Sequence, residues 1–203
     1  MLRNLKSAAL FAAAAMVLAL PAGPLHAQAP GKGKLLVATE DMRDPNYRRT
    51  VVLLLHHDSN GTIGVAINRP TWLSIEDVQP EAGSAEELGA DVFRGGPLAP
   101  AQMIFLVRNP PAGVFDGQPI LDRIYASGNL EQLRALSGSL GEEAIRLFAG
   151  HSEWAAGQLE AEIQNGQWII VDGTAERVFE TDPEDMWPRY SVIDSELLVK
   201  LRP

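Results

Sequence analysis

The chain has 203 residues, with 26 acidic and 17 basic side chains and a formal net charge of −9. It contains no cysteine, which excludes disulfides, thiolate nucleophiles and thiolate metal ligands. The excess of acidic over basic side chains argues against nonspecific binding to nucleic acid, because such binding depends on clusters of lysine and arginine.

The first 27 residues predict a secretory signal peptide. Arg3 and Lys6 precede an apolar run, Ser7–Leu20, and small residues and prolines follow as far as Ala27. This order is typical of an export signal, and the run is shorter than the ~20 residues of a membrane-spanning helix. We expect cleavage after Ala27, with Ala29 as the alternative site, and export to the periplasm. A misassigned start codon or an uncleaved anchor is the other interpretation.

The rest of the chain predicts one α+β domain. Residues 28–33 are a flexible, glycine-rich lead-in, residues 34–190 contain the strands and helices, and residues 191–203 form a C-terminal tail. Strands outnumber helices and their connections are mixed. This favours a single mixed, strongly bent β-sheet with short flanking helices.

Three apolar runs predict the first strands, at Leu35–Thr39, Thr50–His56 and Thr62–Asn68. The third run alternates large branched residues with Gly64 and Ala66, so one of its faces allows close approach of another segment. Asn60 and Gly61 supply the positive φ angles of a tight turn between the second and third runs. These two runs therefore predict a buried hairpin.

Further strands are predicted in the second half of the chain, at Asp91–Arg94, Met103–Arg108, Arg123–Ser127, Ala144–Ala149 and Trp168–Asp172. We expect Arg177–Glu180 to pair beside the last of these strands. The clearest predicted helix is Trp154–Asn165, because Ala155, Leu159 and Ile163 recur at helical spacing and Gly166 ends it.

Three shorter helices are predicted from their first residues. Ser74 is followed by two carboxylates and predicts a helix that Pro80 ends. Asn129 predicts the cap of a helix over Leu130–Leu136. Asp182 precedes a proline at the first helical position, and Pro188 is expected to limit the length of that final helix.

Four segments carry a family resemblance, at Met42–Pro70, Phe93–Pro97, Gly150–Ile163 and Trp168–Trp187. In this order and spacing they resemble the YqgE/AlgH family. The resemblance implies an α+β fold with a bifurcated sheet curled toward a pseudo-barrel, and no settled enzymatic activity. Some members are described as transcriptional regulators, and members usually lack a signal peptide.

The histidines are weak candidates for a metal or catalytic site. His56 and His57 are adjacent on a predicted strand, so they face opposite ways and cannot bind one ion together. A metal site would need His151 beside His56 or His57, with a carboxylate from Asp58 or Glu153; the weak metal candidates are His56, Asp58 and His151. A hydrolase would need His151 with Asp58 or Glu153. We favour a solvated pair near the turn, with no metal, cofactor or catalytic set.

Gly95 and Gly96 precede a proline and can present backbone N–H groups to an anion. They lack the lysine and hydroxyl residue of a phosphate-binding loop, so a tight corner is the favoured interpretation. The paired carboxylates Glu160 and Glu162 are interpreted as part of a solvated helix face.

Polar residues near the hairpin corners and in the predicted long helix are candidates for ligand binding. For the arginines Arg48, Arg49 and Arg69 we favour pairing with a nearby Asp41, Asp44 or Asp58. For Trp154 and Gln158, on one predicted helix face, we favour core support over binding of a flat ligand. The full set of binding candidates is Arg49, Asn68, Arg69, Gly95, Gly96, Trp154 and Gln158.

Three functions are consistent with the sequence. The leading hypothesis is an exported, noncatalytic binding or accessory module with an unidentified protein or small-molecule partner. The alternatives are the transcriptional regulator that the family resemblance implies and a hydrolase that uses His151.

Overall fold

The structure is a computed structural model that describes residues 28–80, 90–136, 139–141 and 144–192. The predicted signal peptide and nearly all of the predicted C-terminal tail lie outside these ranges. Within them, no helix is long and apolar enough to cross a membrane.

The described strands are β1 (Lys34–Ala38), β2 (Val51–Asp58), β3 (Gly61–Ala66), β4 (Val92–Arg94), β5 (Leu98–Arg108), β6 (Gln118–Leu121), β7 (Ile124–Ser127), β8 (Ile145–Ala155) and β9 (Trp168–Asp172). The described helices are α1 (Ile75–Val78), α2 (Leu130–Leu136), α3 (Gln158–Gln164), α4 (Ala175–Phe179) and α5 (Pro183–Ser191). The domain is α+β, as predicted.

The strands form one sheet in the order β6-β7-β5-β8-β3-β2-β1-β9, and β4 pairs with β8 beside this path. The β4–β8 pair is parallel and the others are antiparallel. The predicted hairpin is β2–β3. Of its two turn residues, only Gly61 has a positive φ, at 149°.

The sheet is strongly curled, as the predicted pseudo-barrel requires, and its two ends come close together. Gly33, before β1, passes so close to β6 that a Cβ atom there would lie 2.8 Å from the carbonyl oxygen of Ile120. Gly173, after β9, approaches Gly33 in the same way, with a hypothetical Cβ 2.1 Å from its carbonyl oxygen. Glycine at both positions therefore allows the closure.

Three apolar clusters hold the layers together. The largest lies inside the curl, where Leu53, Phe148 and other strand residues pack against α4 and α5. A second cluster packs one outer part of the sheet against α1 and α2. A third covers the outer face of β1–β3 with Trp154, Trp168 and α3. Both faces of the central strands are consequently buried, which explains their continuous apolar runs.

The prediction of a helix over Trp154–Asn165 was wrong at its start. Trp154 and Ala155 end strand β8, and Trp154 pairs with Thr62. Gly157 has a φ of 76° and directly precedes α3. At the end of β8, Ser152 and Trp154 are buried whereas Glu153 and Ala155 are exposed, which is the alternation of a strand; the buried helical stripe begins only at Leu159. The predicted stop at Gly166 is confirmed by its φ of 73°.

Two further predictions near the end of the chain were wrong. Arg177 lies in helix α4, not in a strand, because Thr174 caps that helix by accepting a hydrogen bond from the Arg177 amide at 3.2 Å. Helix α5 continues past Pro188 as far as Ser191. Its buried residues Trp187 and Tyr190 lie on both sides of the proline, so packing offsets the missing backbone hydrogen bond.

Candidate functional site

Asn68 lies directly after β3 and holds the corner that leads into β2. Its side-chain nitrogen donates to the carbonyl oxygen of Arg49 at 2.9 Å, and its side-chain oxygen accepts from the Val51 amide at 2.8 Å. Both ends of the amide are therefore used to fix the backbone. Arg49 has a φ of 52°, a conformation that costs a non-glycine residue about 1–2 kcal/mol.

Arg69 fixes the preceding residues in a similar way, and we call the two side chains together the Asn68–Arg69 clamp. Its Nη2 donates to the carbonyl oxygen of Arg48, and also to the Thr50 hydroxyl at 2.7 Å. The pKa of Arg69 lies below its ordinary value, mainly because of burial and also because of the nearby positive charge of Arg94. The clamp thus holds the backbone of residues 48–51 and places the positive charges of Arg69 and Arg94 near it.

The side chain of Arg49 lies over the ring of Trp187, from helix α5. The guanidinium carbon is 5.1 Å from the ring centroid, within the range of a cation–π contact. Trp187 is itself held in place, because its indole N–H donates to the carbonyl oxygen of Ala38 at 2.7 Å. Trp187 of α5 therefore contacts both the end of strand β1 and the corner at residues 48–51.

A cavity of about 300 Å³ opens beside this contact. We call it the Arg49–Trp187 cavity; it is lined by Thr39, Glu40, Met42, Arg48, Arg49 and Trp187. Of these residues, only Arg49 was among the binding candidates predicted from the sequence. The other lining residues come from a loop without regular structure and from a helix distant in the chain, so no sequence pattern links them.

The predicted pairing of the corner arginines with nearby aspartates is not observed. Among the described residues no ion pair within 4.0 Å involves Arg48, Arg49 or Arg69. Asp58 instead pairs with His56 at 3.1 Å, and Asp44 accepts a hydrogen bond from the Asn46 amide. The guanidinium groups of Arg48 and Arg49 are thus without a described anionic partner.

At Gly95 and Gly96 the backbone crosses very close to strand β8. A Cβ atom on Gly95 would lie 2.3 Å from the carbonyl oxygen of Gly150, and one on Gly96 would lie 2.1 Å from that of His151. The amide of Gly95 donates to Ala149 and its carbonyl accepts from Ala66. These contacts match the corner interpretation, since both Gly95 backbone groups are already used.

Trp154 and Gln158 belong to a hydrogen-bonded aromatic cluster. Oε2 of Glu162 accepts from the indole N–H groups of Trp154 at 2.9 Å and Trp168 at 2.8 Å, and Oε1 accepts from Gln158 at 2.9 Å. Tyr47 stacks on Trp154 with ring centroids 5.9 Å apart. Glu162 is therefore a structural acceptor, and its interpretation as a solvated carboxylate was wrong.

The binding candidates fall into two groups at opposite ends of β3. Thr62, at the start of β3, pairs with Trp154, whereas Asn68 follows the end of the strand. Six strand residues span roughly 20 Å, so the Trp154–Gln158 group and the Asn68 clamp do not form one site. The Gly95 crossing lies at the Asn68 end, because Arg94 donates its amide hydrogen to the carbonyl of Arg69 at 2.9 Å.

The histidines form separate contacts. His57 contacts the Thr62 hydroxyl at 2.8 Å and Glu160 at 3.6 Å, on the opposite strand face from the His56–Asp58 pair. His151 pairs with Glu153 at 2.9 Å, and its Nδ1 is buried without a described partner. In the described part of the chain, no three metal-binding side chains converge.

Comparison with known proteins identifies relatives of this chain. A model of the AlgH-like family (DUF179) matches residues 35–192. A UPF0301 protein of Cytophaga hutchinsonii is 37% identical over 158 residues, which are 77% of this chain and 85% of that protein. A UPF0301 protein of Streptomyces avermitilis is 38% identical over 161 residues, covering 76% and 82% of the two chains.

Solved structures agree with this assignment. The solution structure of the AlgH protein from Pseudomonas aeruginosa has a TM-score of 0.64 and 27% identity, covering 87% of this chain and 97% of that one. Protein DIP2367 of Corynebacterium diphtheriae has a TM-score of 0.66 and 26% identity, covering 80% and 86%. The chain therefore belongs to the AlgH-like family.

Proposed function

We propose that this chain is an exported, noncatalytic binding module whose partner occupies the Arg49–Trp187 cavity. The observation that carries the proposal is the Asn68–Arg69 clamp, which fixes the backbone of Arg48 and Arg49 beside an open cavity; neither arginine has a carboxylate partner among the described residues. A volume of about 300 Å³ lies at the lower end of the range for small-molecule sites. A preformed site loses little conformational entropy on binding, so even a small cavity can be effective.

The hydrolase alternative is supported by one contact, the 2.9 Å pair between His151 and Glu153. The other groups that a hydrolase would need do not lie around that pair. Asp58 is paired with His56, and the free Nδ1 of His151 is enclosed, with no described hydroxyl bonded to it. A general base needs its proton donor within hydrogen-bonding distance, so binding at the cavity is the better-supported function.

Export is the second part of the proposal and rests on the composition of residues 1–27. Cell fractionation with N-terminal sequencing tests it: we expect a periplasmic form that begins at Gln28. A full-length protein confined to the cytoplasm would overturn export. It would also favour the regulator alternative, to be followed by DNA-binding assays on that form.

Binding at the cavity can be tested with nitrogen-15-labelled tryptophan. The chain has four tryptophans, and the indole N–H of Trp187 reports on the cavity while those of Trp72, Trp154 and Trp168 serve as internal controls. We expect at least one fragment from a set of neutral, cationic and anionic compounds to move the Trp187 signal selectively. If no fragment does so, the cavity is not the binding site.

A further inference from the structure

We infer that the ligand of the Arg49–Trp187 cavity is a small organic anion, with a carboxylate or phosphate group on a flat apolar body. The inference rests on the proposed function and adds the chemical class of the ligand. Three features of the cavity support it: arginines without a described carboxylate partner, the position of one guanidinium over an indole, and the apolar side chains in the lining.

The charge at the cavity is opposite in sign to that of the whole protein. The chain has a formal charge of −9, yet Arg48 and Arg49 line the cavity with no described carboxylate within 4.0 Å. Arg69 donates to the carbonyl of Arg48, and Arg94 lies close enough to lower the pKa of Arg69. An anion in the cavity would relieve this accumulation of positive charge.

The cation–π contact between Arg49 and Trp187 suits recognition of an anion, because it holds the guanidinium beside the cavity. A guanidinium that lies on an aromatic ring keeps its N–H groups at its edge, where they match the two oxygens of a carboxylate or phosphate. The clamp limits the positions this side chain can adopt, because it fixes the Arg49 backbone. The indole therefore positions the cation, and the part of the indole that lines the cavity is apolar.

The other residues that line the cavity also affect which ligands it can bind. Met42 and Trp187 are mostly buried in the outer and inner apolar clusters, and the parts of both side chains that line the cavity are apolar. Glu40 places one carboxylate on the same lining and opposes an anion. Replacement of this carboxylate by a neutral amide should therefore tighten anion binding.

Phenyl phosphate, inorganic phosphate and phenol are the test compounds, titrated by calorimetry at low salt and followed by the Trp187 indole signal. Phenyl phosphate combines both predicted features, and each of the other compounds has one. We expect phenyl phosphate to bind at least about tenfold more tightly than either, since one charged contact commonly accounts for a factor of ten or more.

Three variants separate charge from folding. Arg49→Gly removes the guanidinium but places glycine at a φ of 52°, which glycine adopts without strain, so we expect a folded protein with at least about tenfold weaker phenyl phosphate binding. Glu40→Gln should bind about threefold more tightly. Arg189→Gln is the matched control: it lies on α5 outside the cavity lining and should change binding less than about twofold.

Different results overturn different parts of this assignment. If phenol moves the Trp187 signal at the same concentrations as phenyl phosphate, the cavity binds ligands but the anion inference fails. Unchanged binding in folded Arg49→Gly also overturns the inference. If none of the compounds moves the signal, the inference fails, and the fragment set described above decides the proposed function separately. Binding to phosphatidylglycerol vesicles without binding to phenyl phosphate would replace a small soluble ligand with a lipid surface.

Discussion

Asn68 donates a hydrogen bond to the backbone carbonyl of Arg49, 19 positions earlier in the chain, over 2.9 Å. Through this contact the end of strand β3 determines the backbone conformation just before β2. The corner carries Arg48 and Arg49, which line the cavity and have no carboxylate partner in the described part of the chain, so a structural amide and the candidate binding residues form one unit.

Asn68→Ala should lower the free energy of unfolding by about 2 kcal/mol, because it leaves the Arg49 carbonyl and the Val51 amide without partners. Urea denaturation measures the change. Asn46→Ala is the control: Asn46 lies exposed in the same loop and only its backbone is used, so the change should stay within about 0.5 kcal/mol. Equal stability of the two variants would contradict the clamp.

Glu162→Ala should destabilise the protein by about 2–4 kcal/mol. It removes the acceptor of the Trp154 and Trp168 indole N–H groups, and both rings are nearly fully buried. Urea denaturation and the two indole nitrogen-15 signals check this together. Glu160→Ala, two residues earlier with a 3.6 Å contact to His57, should cost less than about 1 kcal/mol. Indole signals that do not move would show that Glu162 is not their acceptor.

The strands and the capped helices were predictable because their signals are local. Strand β9 was predicted at its observed bounds, and the Ser74 cap and the Asn129 cap appear as expected. Helix α3 was misplaced because Trp154 pairs with Thr62 of β3, and this strand pairing overrides the helical spacing. Strand β6 was not predicted, since its four residues include Pro119 and pair only along one edge.

The site was less predictable than the fold. Asn68, Arg69 and Arg49 were named from the sequence, and the structure brings them together. Their relation to Trp187 depends on how α5 packs against β1, a contact between segments more than one hundred residues apart. Glu162 was misread because a carboxylate on a short helix usually faces solvent, and only the fold brings two indoles to it.

Ion pairing at the β1–β9 edge should make stability depend on pH. The Lys34 ammonium donates to Asp172 and holds the pKa of this carboxyl below its usual value. A carboxyl with a lowered pKa stabilises the folded state above its unfolded pKa, and this contribution is lost as pH falls through the folded pKa. Asp172→Asn should therefore be less stable than the wild type near pH 7 and equally stable at about pH 2.

Urea denaturation at a series of pH values checks this prediction, with Asp41→Asn as the control at an exposed aspartate of the β1–β2 loop. A stability difference for Asp172→Asn that persists unchanged at low pH would show that charge is not its cause. Added salt should also reduce the difference, because both partners are partly exposed.

The fully buried hydroxyl of Ser152 gives an unusual prediction. Among the residues that the structure describes, its Oγ has no hydrogen-bond partner of ordinary geometry. Burial raises the pKa of Tyr47, and the nearby Ser152 hydroxyl partly opposes that rise. Ser152→Ala should therefore stabilise the protein, by about 1 kcal/mol, because a buried hydroxyl without a partner is destabilising. It should also raise the pKa of Tyr47 further.

Urea denaturation and ultraviolet titration of the tyrosines test these two effects of Ser152→Ala. The chain has three tyrosines, so the same titration of a Tyr47→Phe variant identifies the Tyr47 transition by its loss. A Ser152→Ala protein that is less stable than the wild type would show that the hydroxyl has a favourable partner. In that case Ser152 would support the Tyr47–Trp154 stack through a hydrogen bond.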